Sequence, residues 1–249
     1  MPASWEIRAQ RENACILSIL VPPDHRVSFD FMRQFRHIQL PNGSDIMPVK
    51  GRPWGPARNE AAKMALDNGR HLCFLDADVR IEPDAFVKLL ATGLELVGGL
   101  YYQRYPTQLV PNSSIFGYLP VMFNIAKTQE GAFISIPVTG WNPGDIVPVT
   151  FVPSGLTVYR HSLLVKLFQR YKSLFTWGVD IAPVLEPEGT PATPFSEDFS
   201  CSWKATQIGV QPYIATGICG LHETLCVIGP KWRIPLPSPD PLHGVCGVV

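Results

Sequence analysis

The sequence predicts an α/β fold with a mostly parallel central sheet flanked by helices. Short apolar runs typical of buried strands alternate with segments of good helix formers over residues 16–100. Such alternation is typical of parallel sheets, because each crossover helix returns the chain to the same edge of the sheet. With 249 residues, of which 46% are hydrophobic, the chain is long enough to bury one large core.

Residues 15–103 carry this alternation. The predicted buried strands lie at residues 16–21, 71–75 and 94–100. The predicted helices lie at residues 28–35, 56–66 and 82–90. The second helix is the clearest of these, because a proline lies near its first turn and Gly69 can end it.

Residues after 103 follow a different pattern. Residues 104–150 are rich in Pro, Gly and aromatic residues, which favours hairpins and loops packed beside the main sheet. The elements expected next are a strand at 149–159 interrupted at 153–155, a helix at 162–168, a polar flexible lid at 183–194, a helix from Ser196 to Gln207 and a last strand at 210–215. We therefore predict a single domain over residues 1–229, followed by an extended Pro-rich C-terminal arm at 230–249.

Composition and charge exclude several classes of protein. Lys and Arg total 21, as do Asp and Glu, so bulk charge provides no attraction to nucleic acid or to an anionic membrane. The apolar run at residues 14–23 is too short to span a bilayer, and no small-residue cleavage site follows it. The six cysteines contain no C-x-x-C pair, which favours reduced core thiols over disulfides or a zinc site. These features predict a cytoplasmic protein without a transmembrane segment.

Two acidic motifs and a histidine are the candidate reactive groups. Asp76 and Asp78 form a D-x-D motif directly after the second predicted strand, at the sheet edge where open α/β folds bind ligands. Such carboxylates hold Mg²⁺ or Mn²⁺ together with substrate phosphates. Glu197 and Asp198, the E-D pair, open a predicted helix, and His222 follows the last predicted strand. Taken singly, these groups are more often a turn, a helix cap and an ordinary histidine.

The order of the short motifs is more specific than any one of them. They are ARNEAA at 57–62, CFLDAD at 73–78, VGGLY at 97–101, PSGLTVY at 153–159, FSEDF at 195–199 and GICGLH at 217–222. In this order they closely resemble family 2 and related GT-A glycosyltransferases over roughly residues 15–225. The resemblance implies a GT-A, Rossmann-like fold with a nucleotide-binding half at residues 15–103 and an acceptor half at 104–229.

The resemblance also implies a role for each candidate residue. Asp76, Asp78 and His222 would bind Mn²⁺ or Mg²⁺ on the diphosphate of a nucleotide-sugar donor. Asp198 would be the general base that takes the proton of the acceptor hydroxyl, with Glu197 as a neighbouring acceptor or positioning ligand. The implied substrate-binding residues are Pro22, Pro23, Arg58, Asn59, Asp76, Ser154 and Gly155, with Lys231, Trp232 and Arg233 closing over the diphosphate.

The implied activity is the transfer of one sugar to a hydroxyl acceptor; inversion at the anomeric carbon is the leading hypothesis, and retention stays open. The Q-x-x-R-W motif of processive polysaccharide synthases is absent, which favours single transfer. A UDP-sugar is favoured over a GDP-sugar, although the base-reading turn of the family compares only with residues 42–45 (NGSD). The acceptor is open among a glycan, a lipid, a protein, a metabolite and a modified DNA base.

Two other readings compete with this activity. A nucleotidyltransferase normally carries a Gly-rich basic loop after the first strand, whereas residues 22–26 contain no glycine. A non-catalytic nucleotide-sugar-binding protein of the same fold is disfavoured by the presence of every acidic motif residue and of His222.

Overall fold

The computed structural model describes residues 13–21, 27–49, 53–102, 107–108, 116–117, 120–127, 133–176 and 196–222. Its helices are α1 (Phe29–Phe35), α2 (Trp54–Asp67), α3 (Ala85–Ala91), α4 (His161–Arg170) and α5 (Glu197–Gln207). Its strands are β1 (Cys15–Leu20), β2 (Asp45–Val49), β3 (His71–Asp76), β4 (Val79–Ile81), β5 (Leu96–Tyr101), β6 (Thr107–Gln108), β7 (Phe116–Gly117), β8 (Phe123–Lys127), β9 (Phe133–Pro137), β10 (Ile146–Pro148), β11 (Leu156–Tyr159) and β12 (Tyr213–His222). No helix in these ranges is both long and apolar enough to cross a membrane.

An eight-stranded sheet forms the centre of the fold. Its strand order is β10-β12-β5-β11-β3-β1-β2, and β4 pairs with β12 beside this path. Strands β2, β1, β3, β5 and β12 run in one direction, whereas β11, β10 and β4 run against them. Strands β8 and β9 form a separate hairpin, as do the short strands β6 and β7. The predicted α/β fold with a mostly parallel sheet and a small hairpin region is therefore confirmed.

Helices cover both faces of this sheet. One apolar cluster contains residues of α2, α4 and α5. A second cluster contains residues of α1 and α3 on the other face. Small side chains bring α2 close to the sheet, because Ala57, Ala61, Ala62 and Ala65 are all buried along one side of the helix.

Strand β11 is inserted between β3 and β5 and pairs antiparallel with both. Two local expectations need correction. The last strand continues to His222, with a register shift between Ala215 and Cys219, because its far end pairs with β4, a strand that the sequence did not reveal. Residues 42–45 lead into β2 instead of following it, so they lie at the edge opposite the one expected for a base-reading turn.

Four of the cysteines lie in the described residues. Cys15, Cys73 and Cys201 are buried free thiols, as expected. Cys219 is disulfide-bonded, so the expectation of reduced thiols is wrong at this position. The predicted lid at 183–194, the arm at 230–249 and the remaining cysteines lie outside the described residues.

Gly98 in β5 is required by close packing in the sheet. A Cβ at this position would lie 2.5 Å from the Cγ1 of Val152 and 3.3 Å from the carbonyl oxygen of Leu156. We expect Gly98→Ala to lower the free energy of unfolding by about 1–3 kcal/mol, because the core has no room for the added methyl group. Urea unfolding of Gly98→Ala, Val152→Ala and the double variant measures this effect.

The double variant separates local crowding from a general loss of strand stability. Removal of the Val152 methyl groups provides space for the new Cβ, so the double variant should be less destabilised than the sum of the two single variants. Strictly additive effects would contradict the crowding explanation.

Candidate functional site

Four strand ends meet at one edge of the central sheet. Strands β3, β5 and β12 end there at Asp76, Tyr101 and His222. Because β11 runs in the opposite direction, its first residues also lie at this edge, and they follow Ser154 and Gly155. The amide of Asp76 donates to the carbonyl oxygen of Gly155 at 3.1 Å. The antiparallel insertion therefore places the P-S-G turn (residues 153–155) directly beside the D-x-D motif.

A buried arginine connects three of the predicted motifs. Arg58 lies on the apolar side of α2 and is only 3% exposed. Its Nη2 lies 3.4 Å from Asp76 Oδ1, and its Nε lies 3.3 Å from Glu197 Oε1. Its Nη1 donates to the carbonyl oxygen of Ser154 at 3.4 Å, and its Cζ lies 5.2 Å from the ring centroid of Phe74. One guanidinium thus joins the D-x-D motif, the P-S-G turn and the E-D pair.

Burial and mutual charge shift the pKa values of Arg58, Asp76 and Glu197. Burial opposes the charge of Arg58, but Asp76, Asp198 and Glu197 outweigh it and raise the pKa of the guanidinium. Burial raises the pKa of Asp76, and the nearby Arg58 counteracts part of this increase. The pKa of Glu197 is raised to about 7, first by burial and then by the charge of Asp198. Glu197 therefore changes its charge near neutral pH.

The two acids of the E-D pair have different surroundings. The Glu197 side chain is 5% exposed and is engaged by Arg58. Asp198 is only partly buried, and its Oδ2 accepts a hydrogen bond from the backbone amide of Ser154 at 3.2 Å. Both acids lie in the first turn of α5, where the exposed N–H groups favour negative charge. Ser196 is the N-cap as predicted, but its side chain makes no capping hydrogen bond.

His222 is held by the strand beside it. Its Nδ1 lies 2.7 Å from the carbonyl oxygen of Tyr102, and its ring meets the Tyr101 ring edge-on, with centroids 4.8 Å apart. Because a carbonyl oxygen only accepts, this contact places a proton on Nδ1. Val79 pairs with His222 between β4 and β12, so the preceding residue, Asp78, lies near the histidine.

The predicted metal ligands lie at the same edge. Asp76 and Asp78 carry carboxylate oxygens, the ligand type that Mn²⁺ and Mg²⁺ prefer. Within the described part of the chain, no group of three His, Cys, Asp or Glu side chains is placed to hold an ion. The metal-binding role of Asp76, Asp78 and His222 therefore stays a prediction.

Gly155 is tightly packed at the centre of the cluster. A Cβ at this position would lie 2.8 Å from the Tyr101 hydroxyl and 3.2 Å from Asp76 Oδ2, so a side chain has no room there. Ser154 is fully buried, with its Oγ 3.4 Å from the Tyr159 hydroxyl, so its contacts are with the protein interior. The P-S-G turn thus contributes backbone groups that pack closely against Asp76 and Tyr101.

The remaining predicted site residues lie elsewhere or outside the described ranges. The side-chain amide of Asn59 bonds to Ser173 Oγ and to backbone atoms of Leu174 and Phe175, so it connects α2 to this segment. Its substrate-binding role stays a prediction. Pro22, Pro23, Lys231, Trp232 and Arg233 are outside the described residues.

Sequence reasoning missed Tyr101. The hydroxyl of this residue accepts a hydrogen bond from the Gly155 amide at 3.2 Å, and its ring contacts His222. Its place at the end of the VGGLY strand was the available signal, because side chains at the carboxyl ends of parallel strands face the ligand-binding edge.

Comparisons with known proteins do not assign a function to this chain. No protein-family model matches the sequence, and no curated protein matches it. The crystal structure of A197 from STIV aligns with 85% of this chain and 86% of that chain, at 15% identity and a TM-score of 0.49. The crystal structure of GalNAc-T7 with UDP, GalNAc and Mn2+ aligns with 84% of this chain and 44% of that chain, at 15% identity and a TM-score of 0.47. Likenesses at this level carry no argument about the present chain.

Replacing Arg58 should destabilise the fold strongly. In Arg58→Met, Asp76 and Glu197 lose their shared cation in a buried position, so we expect the free energy of unfolding to fall by about 3 kcal/mol or more. Lys63→Met is the matched control on the same helix, because Lys63 forms an exposed pair with Asp67 at 3.0 Å. Its effect should stay within about 0.5 kcal/mol. Equal effects of the two variants in urea unfolding would contradict the role of Arg58.

The raised pKa of Glu197 predicts a pH dependence of stability. The folded protein binds more protons than the unfolded chain between the ordinary pKa of 4.5 and the raised pKa of about 7. Stability conferred by protonated Glu197 is therefore present at low pH and is lost as the pH rises through about 7. Glu197→Gln should flatten this part of the curve of unfolding free energy against pH, whereas the exposed Glu82→Gln should not change it. An unchanged slope in Glu197→Gln would contradict the raised pKa of Glu197.

Proposed function

We propose that the protein is a metal-dependent glycosyltransferase that moves one sugar from a nucleotide-diphosphate sugar to an acceptor hydroxyl with inversion. The observation that carries this proposal is the contact of Arg58 with both Asp76 and Glu197. These residues belong to the two acidic motifs that the GT-A resemblance assigns to the donor and acceptor sides. Their meeting at the carboxyl edge of the sheet provides the proximity that a transfer reaction needs.

The donor side is formed by the D-x-D motif and its neighbours. Asp76, Asp78 and His222 would hold Mn²⁺ or Mg²⁺, which when bound offsets the charge that develops on the departing diphosphate. The resemblance assigns Ser154 and Gly155 to the donor sugar, and the carbonyl oxygen of Gly155 accepts a hydrogen bond from the amide of Asp76. A UDP-sugar is the favoured donor and a GDP-sugar is the second choice. Pro22, Pro23, Lys231 and Trp232 are assigned to donor binding by the resemblance alone.

The acceptor side depends on Asp198. In the proposed step, the acceptor oxygen attacks the anomeric carbon while its proton passes to the Asp198 carboxylate, and the bond from the sugar to the diphosphate breaks. The Ser154 amide holds Asp198 Oδ2 at 3.2 Å, which orients the carboxylate. Glu197 acts as a positioning residue, because Arg58 already engages its buried side chain. The acceptor class stays open among glycans, lipids, proteins, metabolites and modified DNA bases.

Release of nucleoside diphosphate tests the proposed activity. The protein is incubated with Mn²⁺ and UDP-, GDP-, CDP- or dTDP-sugars, with water or an added alcohol as surrogate acceptor. We expect one donor class to release nucleoside diphosphate, and Asp198→Asn to slow this release by about 10²- to 10⁴-fold, because the amide cannot take the proton. Donor affinity should change little, since the carboxamide oxygen can still accept from Ser154.

The control for this variant is Asp67→Asn. Asp67 is an exposed acid at the far end of α2, so its replacement should leave turnover unchanged. Full turnover in Asp198→Asn would reject the assigned base. Release of sugar 1-phosphate instead of nucleoside diphosphate would show attack at the α-phosphorus and identify a nucleotidyltransferase, and donor binding without any release would identify a binding protein.

A further inference from the structure

We propose that Tyr101 is a positioning residue of the donor site, which holds Gly155 through its hydroxyl and His222 through its ring. This inference rests on the proposed function, because it assigns Tyr101 to the same metal and nucleotide site. Tyr101 lies at the end of β5 and is 4% exposed. It is therefore fixed by packing and has no large exposed surface of its own.

The hydroxyl of Tyr101 connects to Asp76 through one residue. It accepts from the backbone amide of Gly155 at 3.2 Å, and the carbonyl oxygen of Gly155 accepts from the amide of Asp76 at 3.1 Å. The buried Gly155 amide would lose its acceptor if the hydroxyl were removed. The Tyr101 hydroxyl thus adds a contact that holds the P-S-G turn beside the D-x-D motif, together with the hydrogen bond from Asp76 to Gly155.

The ring of Tyr101 sets the position of His222 from the other side. The two rings meet edge-on at 77°, with centroids 4.8 Å apart. The carbonyl oxygen of the following residue, Tyr102, lies 2.7 Å from Nδ1 of the same histidine. Tyr101 and Tyr102 therefore contact the imidazole at its ring and at one nitrogen, which fixes the orientation of His222.

Tyr159 provides a matched control. It is also fully buried, and its hydroxyl lies 3.4 Å from Ser154 Oγ in the same P-S-G turn. Its ring packs against Phe74 and Phe175 in the opposite apolar cluster, whereas Tyr101 belongs to the cluster of α1 and α3. Replacement by Phe removes one buried hydroxyl in both variants. Only Tyr101→Phe removes the acceptor of the Gly155 amide, which lies beside Asp76.

The experiment measures the dissociation constants of UDP and GDP by calorimetry, with and without Mn²⁺, for the wild type and both Tyr→Phe variants. We expect Tyr101→Phe to weaken the Mn²⁺-dependent binding about tenfold, in the range found for partners of metal ligands. Binding without Mn²⁺ should change little, and Tyr159→Phe should stay within about twofold of the wild type. Equal losses in both variants, or no loss in Tyr101→Phe, would overturn the inference.

A second readout does not depend on nucleotide binding. Side-chain ¹⁵N spectra, with His222→Gln used for assignment, report the tautomer and environment of His222 in the whole protein. We expect Tyr101→Leu, which removes the ring that contacts His222, to shift these signals, and Tyr159→Leu to leave them unchanged. If the wild type binds neither nucleotide with Mn²⁺, the proposed function fails, and the His222 signals still decide whether the Tyr101 ring positions His222. Unchanged signals in Tyr101→Leu would overturn this role.

Discussion

The burial of the Arg58 charge is the constraint on which the site depends. A guanidinium that is 3% exposed would be very costly without partners, and its partners here are Asp76, Glu197 and the Ser154 carbonyl oxygen. Glu197 lies 139 positions along the chain from Arg58, so the charge is satisfied only when α5 docks against α2. Folding and site assembly are therefore coupled through one side chain.

Strand direction explains why the motifs meet where they do. A purely parallel sheet would place the start of β11 at the edge opposite the end of β3. Because β11 runs antiparallel between β3 and β5, its preceding residues, Ser154 and Gly155, lie beside Asp76. The pairing of β4 with the end of β12 then brings His222 to the same place. One reversed strand and one short strand thus bring side chains from several elements to one edge of the sheet.

The sequence predicts those strands and helices whose signals lie within a few neighbouring residues. Apolar runs located β1, β3 and β5, and the alanines with Gly69 located α2, because burial and helix propensity act over a few residues. The D-x-D motif was placed at the correct edge, since it follows a buried strand. The contacts of Arg58, the different surroundings of Glu197 and Asp198, and the role of Tyr101 were not predictable, because they depend on pairs of residues far apart in the chain. Strands β2 and β4 escaped detection because they are short and only partly apolar.

The most direct test of the central claim is the thermal unfolding of the protein with UDP, GDP, CDP or dTDP, each with and without Mn²⁺. A site built on Asp76, Asp78 and His222 predicts that one nucleotide stabilises the fold only when the metal is present. At one hundred times its dissociation constant, the ligand should add about 2.7 kcal/mol to the free energy of unfolding. Stabilisation that is the same without Mn²⁺, or none with any of the four nucleotides, would contradict the claim that this sheet edge is a metal-dependent nucleotide-sugar site.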